Sequence, residues 1–270
     1  MTLYAPAALC LWVCLQNTPL ATLICPKKEP LCLQDADAND LHYYFPMHIP
    51  DGFLDVQTSV IFTGLSAAGV AVALKGARSQ LDEKTAPLAG LTAVFIFAVQ
   101  MLNFPVAAGT SGHLIGGALA AILVGPWAAT LALTIVLLMQ AFLFADGGLT
   151  ALGASTFNMS IVGVWAGYGA FLLVRKVLPK RKASIPLAAA IGGFVSVPMA
   201  AISFTVQYAM GATATYSTST VLGAMVGTHI LIGIGEGLIT GLTVSAVIAS
   251  RSDLVYGWKN NTQSLEIRNA

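Results

Sequence analysis

The chain has 270 residues, of which 56% are hydrophobic and only 9% charged, whereas soluble domains average about 25% charged residues. That balance marks an all-α, polytopic membrane helix bundle. The formal net charge of +1 gives nucleic-acid binding no electrostatic support. All four cysteines (Cys10, Cys14, Cys25, Cys32) fall within the first 46 residues, which excludes a disulfide or thiolate metal site in the rest of the chain.

Residues 1–46 differ in texture from the rest of the chain. A brief apolar run from Leu9 to Leu15 gives way to Lys27-Lys28 and then to Asp35, Asp37 and Asp40. No basic residue precedes the apolar run and no convincing small-residue cleavage site stands near Pro46, so the stretch reads poorly as a signal peptide. A translated extension, an atypical cleaved leader and a start codon assigned too far upstream all stay open. The favoured expectation is the last, with translation beginning at Met47.

Next in the chain comes Met47-His48-Ile49-Pro50-Asp51-Gly52. If residue 47 carries a free α-amine, that amine, the His48 amide nitrogen and the His48 Nδ1 can close two fused chelate rings on one metal ion. Three nitrogens then lie nearly in a plane, and one more imidazole would complete a square. Such a set suits Ni(II) or Cu(II) better than the tetrahedral sites zinc prefers. Pro50 and Asp51-Gly52 are a turn signal that bends the chain toward the first long apolar segment. Asp51 and Asp55 read as turn and cap residues, with cation steering as a secondary role.

A bilayer crossing takes about 20 apolar residues, and seven segments are expected at 57–75, 88–103, 113–124, 126–144, 155–178, 185–210 and 221–249. The break between the third and fourth rests on Gly125-Pro126, and the count falls to six if they fuse. The loop after the first segment carries Lys75, Arg78 and Lys84. The loop after the fifth carries Arg175, Lys176, Lys180, Arg181 and Lys182, and the tail 251–270 begins with Arg251. Stretches 104–112, 145–154 and 211–220 contain no Lys or Arg. With seven crossings, every basic loop falls on one side, which puts residue 47 outside and the C-terminus in the cytoplasm. An even count would break that pattern.

This topology collects the chemistry-bearing residues at the external face. Phe104–Gly112 is expected to be non-helical backbone lining a cavity, with Thr110 or Ser111 capping a short helix and His113 in its first turn. Asp146 before Gly147-Gly148 is either an attractor for a cation or a turn residue. His229 and Glu236 share a face of the last helix, but at 1.5 Å per residue they lie roughly 10 Å apart, too far for one ion. They are expected to support the site or hold the bundle together. Gly64, Ala67, Ala68 and Ala71 form a small-residue stripe that reads as helix packing or as a sliding contact with a partner. The methionines of the apolar segments read as core filler.

Met-His-Ile-Pro-Asp-Gly, the Phe-Pro-Val loop ending in Gly-Thr-Ser-Gly-His-Leu, Phe-Ala-Asp-Gly-Gly-Leu-Thr-Ala-Leu-Gly, and Thr-His followed by Ile-Gly-Ile-Gly-Glu together resemble the CbiM/NikM family. These are substrate-capture components of energy-coupling-factor importers for cobalt and nickel, and the resemblance covers about residues 47–250. It implies seven transmembrane helices in the plasma membrane (the inner membrane of a Gram-negative cell) and an often-found link to cobalamin biosynthesis. It implies Met47, His48 and His113 as metal ligands, the first through its amine. Thr110, Ser111, Asp146, His229 and Glu236 are candidates for holding those ligands. The implied partners are a transmembrane coupling subunit, ATP-binding-cassette ATPase subunits and a small accessory membrane subunit. Co2+ or Ni2+ is the transported substrate, and no cofactor is implied. The 46-residue extension departs from the family: if retained, it replaces the Met47 amine with a peptide nitrogen.

The chain lacks a phosphate-cradling Gly-x-x-x-x-Gly-Lys-Ser/Thr loop, so the ATP-driven step belongs to another subunit. An α-amine has a reference pKa of about 7.7–8.0, and the metal must displace that proton and an amide proton, so affinity is expected to rise with pH. A self-sufficient divalent-cation permease is the rival reading. An intramembrane metalloenzyme is a further one, opposed by the saturated four-nitrogen site, and the expectation is that the chain is not an enzyme. Nitrogen donors do not separate nickel from cobalt.

Overall fold

The computed structural model describes residues 48–258 apart from 80, 82, 84, 102–103, 108–109, 180 and 215, with the backbone alone for 104–107 and 110–112. The helices are α1 (Val56–Ala77), α2 (Thr85–Gln100), α3 (Gly117–Val124), α4 (Pro126–Phe144), α5 (Leu152–Val177), α6 (Ser184–Gly211) and α7 (Thr218–Arg251, continued by a 3-10 turn over Ser252–Leu254). Asp55 caps α1 by accepting from the Thr58 N–H at 2.7 Å. Five helices are long and apolar enough to cross a bilayer by length and composition: α1, α4, α5, α6 and α7. Their exposed large side chains, such as Val60, Phe142, Leu173 and Leu231, are the surface a lipid tail would meet.

The expected break between the third and fourth segments is present. Gly125 adopts φ 93° and ψ 151°, which no side-chain-bearing residue takes readily, and Pro126 starts α4, where its missing N–H costs nothing. At eight residues, α3 is only about 12 Å long. All eight are buried, and α3 packs against α2, α4, α5, α6 and α7. The shortest helix is thus the axis of the core.

Where the chain runs between β1 (Phe104–Ala107) and β2 (Thr110–Gly112), it forms a small antiparallel hairpin with Phe104 opposite Gly112 and Pro105 opposite Ser111. Helix α7 packs against both strands. Two expectations are corrected by this hairpin. Thr110 and Ser111 sit in β2 and do not cap a helix, and His113 does not lie in a helical turn. Helix α3 begins only at Gly117, with Gly116 as an N-cap that has no side chain to offer. Helix α2 also ends earlier than the expected 103, and α7 runs past the expected 249.

The two ends of the bundle have opposite character. At one end, Trp127 lies against Gly76 and meets Trp165 with ring centroids 4.3 Å apart. Arg175 donates to the Gly257 carbonyl, and Lys182 reaches Ser252 Oγ at 3.0 Å and the Trp258 ring at 5.9 Å. Gly257 also meets Ile122 near the end of α3. The other end is made of neutral loops: Leu54 bridges to Ala212, Asp55 N–H donates to Gly211 O at 2.7 Å, and Thr213 N–H donates to Phe53 O at 3.1 Å.

Two polar features join the long helices. In α5, residues Phe157–Gly163 widen to π-helix, and the Gly163 carbonyl accepts from Ser196 Oγ at 2.9 Å. Beside it, the amides of Asn158 and Gln207 exchange two hydrogen bonds of 2.9 Å between α5 and α6. Helices α6 and α7 approach closely because a Cβ at Gly237 would sit 2.7 Å from Ala190 O.

Candidate metal centre

His48 enters the bundle at the neutral end ahead of α1, and three loops hold it there. Gly148 N–H donates to Ile49 O at 2.9 Å. Asp51 Oδ1 accepts from the Thr150 N–H at 2.7 Å and the Thr150 hydroxyl at 2.6 Å, and these bonds hold its carboxyl below the usual range. Thr213 Oγ1 donates to Gly52 O at 2.7 Å. Gly147, at φ 94°, lies under the His48 side chain. Asp55 caps α1 as expected, whereas Asp51 lies in the expected turn but spends its carboxylate on the Thr150 loop.

So placed, the His48 side chain is 8% exposed. Its ring centroid lies 5.1 Å from that of His113, with the planes tilted by 47°. Its Nδ1 lies 3.4 Å from Asp146 Oδ1. Neither ring nitrogen of His48 has a hydrogen-bond partner among the described residues. A buried polar group left this way costs about 1–3 kcal/mol, so it calls for a physical reason.

His113 sits in the extended stretch between β2 and α3. Its Nδ1 donates to Leu114 O at 3.0 Å, an arrangement that leaves Nε2 with the free lone pair. A histidine that ligates a metal commonly spends its other ring nitrogen on such a carbonyl.

Glu236, midway along α7, does something different from what its spacing to His229 suggests. Its Oε2 accepts from the Ile115 N–H at 2.9 Å and its Oε1 from the Gly116 N–H at 2.7 Å. It therefore takes the two N–H groups just ahead of α3, leaving the first-turn donors without a side-chain cap. His229 bonds back to Met225 O at 2.7 Å on its own helix, and the two Glu236 oxygens are spent on the α3 start. His229 and Glu236 are thus each bonded elsewhere.

Two glutamines missed by the sequence reading complete the support. Gln100 Nε2 donates to Ile115 O at 2.7 Å, and Gln140 Nε2 donates to Gln100 Oε1 at 2.9 Å. The Gln140 backbone carbonyl in turn accepts from the Asp146 N–H at 3.1 Å. A continuous polar path thus runs from the His113 loop through α2 and α4 to the Asp146 loop against His48. The signal was available: each is a lone amide inside an apolar helix, where a polar group is costly unless it has work to do.

The structure brings together His48, His113 and Asp146, with Glu236 behind the His113 loop. Thr110 and Ser111 contribute backbone to β2, while Met47 lies outside the described residues. Among the described residues no three His, Cys, Asp or Glu side chains converge to hold an ion.

Residues 48–254 match the family described as CbiM, cobalt uptake substrate-specific transmembrane region. A protein of Haloquadratum walsbyi named for metal transport is 39% identical over 223 residues, spanning 82% of this chain and all of that one. The cobalt transport protein CbiM of Sorangium cellulosum is 32% identical over 212 residues, 77% of this chain and 94% of its own length. A crystal structure of a truncated transition metal transporter superposes with a TM-score of 0.68 at 34% identity, covering 75% of this chain and 99% of that one.

Proposed function

This chain belongs to the CbiM family of cobalt uptake substrate-specific transmembrane regions, a family of transporters and not of enzymes, and from that premise we propose that it captures Ni2+ or Co2+ at the outer face of the membrane for an ATP-driven importer. The ion is taken by the amine of Met47, the amide nitrogen and Nδ1 of His48, and Nε2 of His113. Translation from Met47 leaves that amine free. The observation that carries the reading is the buried His48 ring, whose nitrogens lack hydrogen-bond partners among the described residues and which lies 5.1 Å from the His113 ring. Binding a cation accounts for the cost of that burial, and the adjacent Asp146 supplies opposite charge.

The basic end of the bundle faces the cytoplasm by the usual bias of Lys and Arg, which sets the histidines outside in the plasma membrane. Energy comes from partners, a transmembrane coupling subunit with ATPases and a small accessory subunit, because no nucleotide loop is present in this sequence. Thr110, Ser111, Asp146 and Glu236 support the ligands without touching the ion, and His229 acts in packing. The nitrogen set accepts nickel and cobalt alike.

Uptake of radioactive nickel and cobalt by cells carrying single variants tests this. His48→Ala, His113→Ala and acetylation of the Met47 amine should each reduce accumulation to the level of cells without the gene. Wild-type accumulation with any one of them would overturn the four-nitrogen site.

A further inference from the structure

The peptide groups on the C-terminal side of His113 are gripped from two directions. On one side Glu236 of α7 takes the N–H groups of Ile115 and Gly116 on its two oxygens. On the other, Gln100 of α2 donates to the Ile115 carbonyl and is itself fixed by Gln140 of α4. Gln100 and Gln140 are fully buried and Glu236 is 2% exposed, so these bonds lie away from bulk solvent. Gly116 has no side chain with which to cap α3, and a negative group at a helix N-terminus is favoured by the helix dipole. Only Leu114 separates His113 from the clamped peptide. Any slack there passes directly to the imidazole.

Resting on the metal-capture reading, we infer that Glu236 and Gln100 are positioning residues of the metal centre, holding the Ile115 peptide from opposite helices so that the His113 ring is presented in place to the ion. The carboxylate is specific to this role. A glutamine at 236 accepts through one atom only and turns its own N–H groups toward a backbone N–H, so one of the two bonds becomes a repulsion. A leucine at 100 removes the grip on the carbonyl and leaves α7 untouched.

The test uses the protein as its host makes it, purified in detergent, with Ni(II) as the probe. Equilibrium dialysis, the visible absorption of bound Ni(II) and thermal unfolding are compared for wild type, Glu236→Gln, Gln100→Leu and His113→Ala. Glu236→Gln should weaken Ni(II) binding roughly 10–100-fold, the usual effect of losing a group that orients a ligand. Its bound-metal spectrum should become that of His113→Ala, and imidazole added to the solution should return both spectra to the wild-type form. Unchanged affinity, or a lowered Tm with the wild-type spectrum retained, overturns the inference by reducing Glu236 to a fold-stabilising residue. Should Glu236→Gln fail to fold, Gln100→Leu is judged by the same criteria. Equal Ni(II) binding by wild type and His113→Ala is a separate result; it sinks the metal-capture reading and takes this inference with it.

Discussion

His48 is seated by the loops around it, and among the described residues its ring nitrogens make no hydrogen bond. Gly147 lies beneath it with φ 94°, and a Cβ there would stand 2.5 Å from the His48 Cβ. Gly52 has a similar φ of 76°, yet a Cβ there meets nothing within 4 Å. The pair separates backbone strain from displacement of the ligand. Gly147→Ala and Gly52→Ala should both lower stability by about 1–2 kcal/mol, the cost of a left-handed residue with a side chain. Only Gly147→Ala should also weaken Ni(II) binding, by roughly tenfold or more if the displaced ring no longer meets its partner. Dialysis beside thermal unfolding reads the two effects, and equal affinities in the two variants would show that Gly147 does not seat His48.

At the scale of elements, the short central helix depends on how it begins and ends. The residues leading into its start are held by the Glu236 carboxylate of α7, and its end is cut by Gly125. The Gly125 conformation lies in a region essentially reserved for glycine, so Gly125→Ala should cost about 1–3 kcal/mol. Pro126→Ala should cost less, because the first helical position tolerates either residue. Unfolding midpoints in detergent, with the order of the two reversed, would mean that the break is imposed by packing and not by the local chain. The same logic explains the misplaced cap. Ser and Thr before an apolar run are a good helix-start signal, but α3 starts later, behind a Gly116 whose N–H found a carboxylate 120 residues further on, and no local pattern could show that.

On the scale of the whole molecule, the division into a basic and a neutral end predicts orientation. Tyr216 is 70% exposed at the neutral end and Val177 is 86% exposed at the basic end. In intact cells or spheroplasts, Tyr216→Cys should react with a membrane-impermeant maleimide, and Val177→Cys should react only in inverted vesicles. All natural cysteines fall in the first 46 residues, so a chain translated from Met47 offers the maleimide no background thiol. Labelling of Val177→Cys from outside would invert the topology and put the histidines on the wrong face for capture.

The membrane class, the helix order, the Gly125-Pro126 break and the gathering of His48, His113 and Asp146 at one end of the bundle could all be read from the chain by itself. Each depends on local composition, on a backbone-restricting residue, or on the counting of crossings that sorts loops to two sides. The hairpin at Phe104–Gly112, the late start of α3, the bond from Glu236 to the Ile115 and Gly116 amides, and the Gln100–Gln140 path were decided only by tertiary structure. Buried polar groups far apart in sequence pair according to which backbone donors and acceptors are left over once the helices have packed, and that remainder has no period along the chain.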